Sequence, residues 1–201
     1  GEALVVVLAL MAGLALPLTP VMILSGNLIT GITPGLALAF EPTDPGAMRR
    51  PPRPPGRPLL TRALLMRTGL VSLAMLAGGI GLFLWELHVA HASLAAARTA
   101  VVNLVVLVEA VYLFNCRSLT LPVFRLGLFS NPWAIAGALA MVAGQVFFTH
   151  APLMNRLFHT APIETGAWLR IVALCAGLFA VVELEKWIRY GGRRSEGVAP
   201  E

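Results

Sequence analysis

The chain has little charge. Lys, Arg, Asp and Glu together make up 12% of its 201 residues, and only one aspartate, Asp44, and one lysine, Lys186, are present. Soluble domains carry about 25% charged residues, so this composition, with 57% hydrophobic residues, excludes a soluble globular protein and points to a membrane one. The single lysine is followed by Trp187, which excludes the G-x-x-x-x-G-K-[ST] loop that cradles nucleotide phosphates. Two cysteines, Cys116 and Cys175, are too few for a disulfide framework, and their positions in different apolar runs place them at different depths. No basic stretch precedes the first apolar run, which argues against a signal peptide. That run is short, as expected of a chain cut inside a helix.

What is abundant is apolar sequence in lengths that match a bilayer, about 20 residues per helix. Six runs qualify: Ala3 to Leu16 (short), Val21 to Phe40, Ala63 to Trp85, Thr99 to Asn115, Pro132 to Thr149 and Ala167 to Ile188. The predicted fold class is all-α, a polytopic bundle of six transmembrane helices. It occupies residues 1–190 and leaves a disordered tail over 191–201.

The net charge of +5 belongs to topology and gives no reason to expect nucleic acid. Arg49, Arg50, Arg53, Arg57, Arg62 and Arg67 lie in or beside one loop, Arg117 and Arg125 in another, and Lys186, Arg189, Arg193 and Arg194 at the C-terminal end. The opposite side has Arg98, Arg156 and Arg170. Twelve cations against three is a positive-inside pattern. It puts loops 41–62 and 116–131 and the C-terminus in the cytoplasm. The first of these loops contains seven prolines between Glu41 and Pro58, a composition that favours extended polyproline geometry. It suits either a stiff connector or a docking segment for a partner domain.

Residues 26–35, GNLITGITPG, interrupt an otherwise apolar run. Pro34 has no N–H to offer the Thr30 carbonyl, and Gly26, Gly31 and Gly35 ease departure from helical dihedrals. A helix break at Gly31 and Pro34 is tolerable in a membrane where it lines a polar cavity or is satisfied by protein, as at the ion sites of transporters. A proline kink that merely shapes packing is the other reading. Asn27 and Thr30, three residues apart, put side-chain oxygens on one face. Glu109, within VVNLVVLVEAVYLF, is an acid in the middle of a span. Such an acid costs at least about 2.5 kcal/mol and by default marks an ion or proton path, the alternative being a carboxylate bonded to a neighbouring helix. Glu2 stands at the start of the first apolar run. Glu183 and Glu185 sit beside Lys186 near the cytoplasmic boundary, as expected of a solvated or interface pair. Asn103 and Gln145 are expected to form interhelical hydrogen bonds. His88, His91, His150 and His159 fall on the non-cytoplasmic side, where the i,i+3 pair lacks a third metal ligand nearby.

The stretch PLTPVMILSGNLITGITPGLALAFEPTDPGAMRRPPR resembles the sixth membrane helix and following loop of P-type cation-transporting ATPases. Two later stretches, LFNCRSLTLPVFRLGLFSNPW and FFTHAPLMNRLFHTAPIETGAWLRI, are similar to the eighth to tenth helices of bacterial members. The resemblance implies the C-terminal membrane half of such a pump, from the end of the fifth helix through the tenth, in the bacterial inner membrane. It implies that Glu2, Asn27, Thr30 and Glu109 bind the transported cation and that loop 41–62 contacts the phosphorylation domain. Lipid and the pump's N-terminal half are the other partners implied. In calcium pumps of the family an aspartate follows the sixth-helix threonine; here Gly31 stands there, which makes calcium doubtful and favours a monovalent cation or proton. The Asp-Lys-Thr-Gly phosphorylation motif is missing, because Asp44 is followed by Pro45. The chain alone is therefore expected to hold no cofactor and hydrolyse no ATP, the ATP and Mg of the intact pump being handled elsewhere. A free-standing six-helix channel, carrier or interaction protein is the alternative function.

Overall fold

The computed structural model describes residues 1–41, 61–117, 123, 127 and 130–190. Most of the proline-rich loop and the tail over 191–201 lie outside these residues. The described residues form seven helices: α1 (Glu2–Met11), α2 (Pro20–Ala39), α3 (Arg62–His88), α4 (Leu94–Cys116), α5 (Pro132–His150), α6 (Pro152–Phe158) and α7 (Thr165–Tyr190). Among the described residues, α2, α3, α4, α5 and α7 are long and apolar enough to cross a bilayer. The chain is an all-helical, multi-pass membrane bundle.

The helix starts follow their capping residues. The hydroxyl of Thr19 accepts from the Met22 N–H with Pro20 at the first helical position, Thr61 caps α3 through Leu64, and Ser93 caps α4 through Ala96. Asn131 accepts from both Trp133 and Ala134 ahead of α5. Each cap satisfies an amide that the helix leaves without an internal partner. The Ser93 cap explains why α4 begins five residues before the predicted start at Thr99.

Two expectations are corrected. The run Ala3 to Leu16 is not one span, since its helix ends at Met11. Gly13 adopts φ 65°, its N–H donates to the Leu10 carbonyl, and the Leu14 N–H reaches back to Ala9 at 2.9 Å. This left-handed glycine termination closes the helix after ten residues. Second, Pro34 lies inside a continuous α2, so the expected helix break at Gly31 and Pro34 is a withheld donor within an uninterrupted helix.

Helix α4 is the central element and is buried along most of its length, packing against α2, α3, α5 and α7. Ala97, Val101, Leu104 and Val108 of α4, spaced four, three and four, meet Val71, Met75 and Phe83 of α3 and Ile171, Cys175, Leu178 and Val182 of α7 in one apolar core. Glycine permits the closest approach between α2 and α5: a Cβ on Gly137 would stand 3.3 Å from Thr33 Cγ2 and 3.4 Å from Ala37 Cβ. In a bilayer, where apolar burial does not drive helices together, such contact helps to hold them. The outward faces carry Leu24, Leu28, Leu139, Leu169 and Ile188, all exposed and apolar, as lipid contact requires.

Polar side chains bind the two ends of the bundle. At one end Arg67 pairs with Glu185 at 2.7 Å, and Lys186, fully buried, donates to Glu183 and to the Asn115 carbonyl at 2.9 Å each. At the other, Arg170 pairs with Glu86 at 2.7 Å and Arg98 donates to the Leu16 carbonyl at 2.9 Å. Asn103, midway along α4, donates to the Thr149 hydroxyl at 2.8 Å, the interhelical bond expected of it. The Gln145 side-chain oxygen is buried without a hydrogen-bond partner among the described residues.

Candidate cation site

The four candidate residues arrive on three helices. Glu2 opens α1, Asn27 and Thr30 sit one turn apart on α2, and Glu109 lies in the second half of α4. The structure brings Asn27, Thr30 and Glu109 onto one groove between α2 and α4 and lays the Glu2 carboxylate against α2 at Gly26. Glu2 and Glu109 are also close enough to repel one another electrostatically. At Gly26 the helices are in ordinary contact, a Cβ there lying 3.7 Å from Val106 Cγ2 and 3.9 Å from Glu2 Oε1. Two carboxylates, an amide and a hydroxyl facing one another in a helical bundle offer hard oxygen ligands to a cation, whose charge would relieve the carboxylate repulsion.

Beside the cluster, Asn27, Thr30, Gly31, Pro34, Leu38, Glu109, Tyr112, Leu113 and Cys116 line a groove of about 310 Å³ between α2 and α4. Gly31 opens onto free space, with nothing within 4 Å of the position a Cβ would take, and its φ is not in the left-handed region. The space that a carboxylate would need at this position is therefore present.

Just beyond the ends of α2 and α4 is a second polar cluster that sequence reasoning missed. Arg117 is buried and donates to Glu41 through Nε at 3.0 Å and Nη2 at 2.9 Å, to the Gly127 carbonyl at 3.2 Å, and to the Ser130 hydroxyl. Asn131 adds a bond from its amide to the same Glu41 carboxylate and one to the Ala37 carbonyl at 3.2 Å. Burial alone would raise the pKa of Glu41, but the hydrogen bonds from Arg117 and Asn131 outweigh it and hold the carboxyl below its ordinary value of 4.5. The end of α2 is thus tied to the end of α4 and the start of α5. The positions of Glu41 and Arg117 just past two apolar runs were the available signal; their pairing over 76 residues was not readable locally.

A bundle of helices long and apolar enough to cross a bilayer defines the class of multi-pass membrane domains. Within that class the chain belongs to the family described as "Cation transporting ATPase, C-terminus", which matches residues 15–188 and so includes Asn27, Thr30 and Glu109. It is 50% identical over 182 residues to "Probable cation-transporting ATPase F" of Mycobacterium tuberculosis (strain ATCC 25618 / H37Rv), covering 90% of this chain and 20% of that protein. It is 32% identical over 178 residues to "Calcium-transporting ATPase" of Bacillus subtilis (strain 168), covering 88% of this chain and 20% of that protein. It is 31% identical over 199 residues to "Calcium-transporting ATPase type 2C member 2" of Mus musculus, covering 98% and 21%. The chain therefore spans about a fifth of the length of the curated relatives it matches.

Proposed function

We propose that the chain is the cation-binding and translocating part of an ATP-driven P-type pump of the bacterial inner membrane, whose phosphorylation and nucleotide-binding domains lie elsewhere in the protein. The observation that carries this is that Asn27 and Thr30 of α2 and Glu109 of α4 line one groove, with the Glu2 carboxylate lying against the same helix α2 at Gly26. These four residues are assigned to the cation. ATP and Mg act on the parts of the pump outside this chain. The partners are the N-terminal half of the pump, membrane lipid and the transported cation. In this assignment residues 1–190 form the membrane domain. The positive-inside rule places loops 41–62 and 116–131 and the C-terminus in the cytoplasm, where loop 41–62 contacts the phosphorylation domain.

For cation choice, Gly31 supplies no side-chain oxygen, so the site has two carboxylates rather than three. Calcium prefers six to eight hard oxygen ligands, with carboxylates setting much of the affinity. The proposal is therefore a monovalent cation or proton. The test is cation-stimulated ATPase activity of the full-length pump, wild type and Glu109→Gln, titrated with sodium, potassium and calcium at several pH values. Loss of cation stimulation in Glu109→Gln supports the reading. Unchanged half-activating concentrations would remove Glu109 from the site, and micromolar calcium activation of the wild type would refute the cation preference.

A further inference from the structure

The groove beside Thr30 and Glu109 does not stop at them. It continues past Pro34 and Leu38 on α2 and past Tyr112, Leu113 and Cys116 on α4. Glu109, Tyr112 and Cys116 are spaced three and four apart and so fall along one face of α4. From Glu109 to Cys116 the rise is roughly 10 Å at 1.5 Å per residue. Cys116 is the last residue of α4 and directly precedes Arg117, so the groove leads from the carboxylate to the end of the bundle where Arg117 holds Glu41.

Three features suit this passage to a hydrated ion. Its volume is enough for several water molecules. Gly31 leaves the wall open where any other side chain would project. Polar side chains recur along it, Asn27, Thr30 and Glu109 towards one end and Tyr112 and Cys116 towards the other, and Pro34 leaves the Thr30 carbonyl without its helical donor. A bare carbonyl facing lipid would be costly, whereas one facing a wet groove is satisfied.

We propose that this groove is the access path by which the transported cation reaches Glu109 from the end of the bundle carrying Glu41 and Arg117, with Tyr112 and Cys116 forming its mouth. The proposal rests on the assignment of Glu2, Asn27, Thr30 and Glu109 to the cation. An obstruction in a path, unlike a lesion in a site, slows arrival and departure equally and leaves the equilibrium unchanged.

The experiment uses the full-length pump with every cysteine except Cys116 replaced, treated with a small, water-soluble, uncharged methanethiosulfonate reagent. Binding of radioactive sodium, and of radioactive rubidium in place of potassium, is followed for rate and equilibrium, with Glu109→Gln as the comparison. Cys116 is expected to react in the folded protein. The adduct is expected to slow cation binding and release together by roughly tenfold or more, while the dissociation constant stays within about twofold. Glu109→Gln should instead weaken the equilibrium itself. Failure of Cys116 to react, unchanged rates in the adduct, or a shift in dissociation constant like that of Glu109→Gln would each overturn the proposal. If the untreated pump binds no cation, the site assignment fails first, and that is seen before any labelling.

Discussion

Replacing Arg117 with methionine should loosen the joint between α2, α4 and α5. The guanidinium is 1% exposed and its Glu41 partner 18%, so water compensates little on the arginine side and more on the carboxylate side. Removing one partner of a fully buried pair costs about 3 to 5 kcal/mol. The partial exposure of Glu41 places this case at the lower end, about 3 kcal/mol for Arg117→Met. Glu41→Gln keeps some hydrogen bonding with Arg117 and Asn131 and should cost about 1 to 2 kcal/mol. In the double variant no charge is left stranded, so its loss should be close to that of Arg117→Met alone, a coupling of roughly 1 to 2 kcal/mol. Reversible unfolding of the four proteins in mixed detergent micelles reads this directly. Strict additivity would show that the pair contributes no coupling and would refute the joint. The pH dependence has a definite sign. Because the folded pKa of Glu41 is lowered below 4.5, its contribution is complete above that value and is lost as pH falls through the folded pKa. The stability gap between wild type and Glu41→Gln should therefore close on acidification, and a gap that widened would contradict the pairing.

Asn103→Leu should destabilise by only about 0.6 kcal/mol despite its fully buried position, because hydrogen bonds within membranes average that little; the same unfolding assay checks it. Gly31→Asp should fold, given the open space at its Cβ and its unstrained backbone, and should increase calcium affinity in the full-length pump. Equilibrium binding of calcium tests this, and a folded variant with unchanged affinity would disconnect Gly31 from the site. Single cysteines at Thr43 and Ala90, in a background without Cys116 and Cys175, should react with impermeant reagent from opposite faces of the membrane. Reaction from the same face would refute the sidedness inferred from the arginines.

The membrane class, the five long helices and the candidate acids were legible because bilayer length, apolar composition and the cost of a charge in hydrocarbon are properties of short segments. Capping was legible in principle too: Thr19 with Pro20, Ser93 and Asn131 with Pro132 each mark a start within a few residues. The end of α1 was missed although Gly13 announced it, because a continuous apolar run outweighed one glycine that takes the left-handed conformation. The continuity of α2 through Pro34 was missed for the opposite reason. Local chemistry showed the withheld hydrogen bond, but whether the backbone stays helical across it depends on the packing of α2 against α4 and α5. The sequence by itself determined which residues are costly to bury and therefore need partners. Only the tertiary structure decided what they meet: Glu2 beside Gly26, Glu109 across a groove from Thr30, Arg117 with Glu41. Those encounters join residues 24 to 79 positions apart, where helix packing rather than local spacing sets the distance.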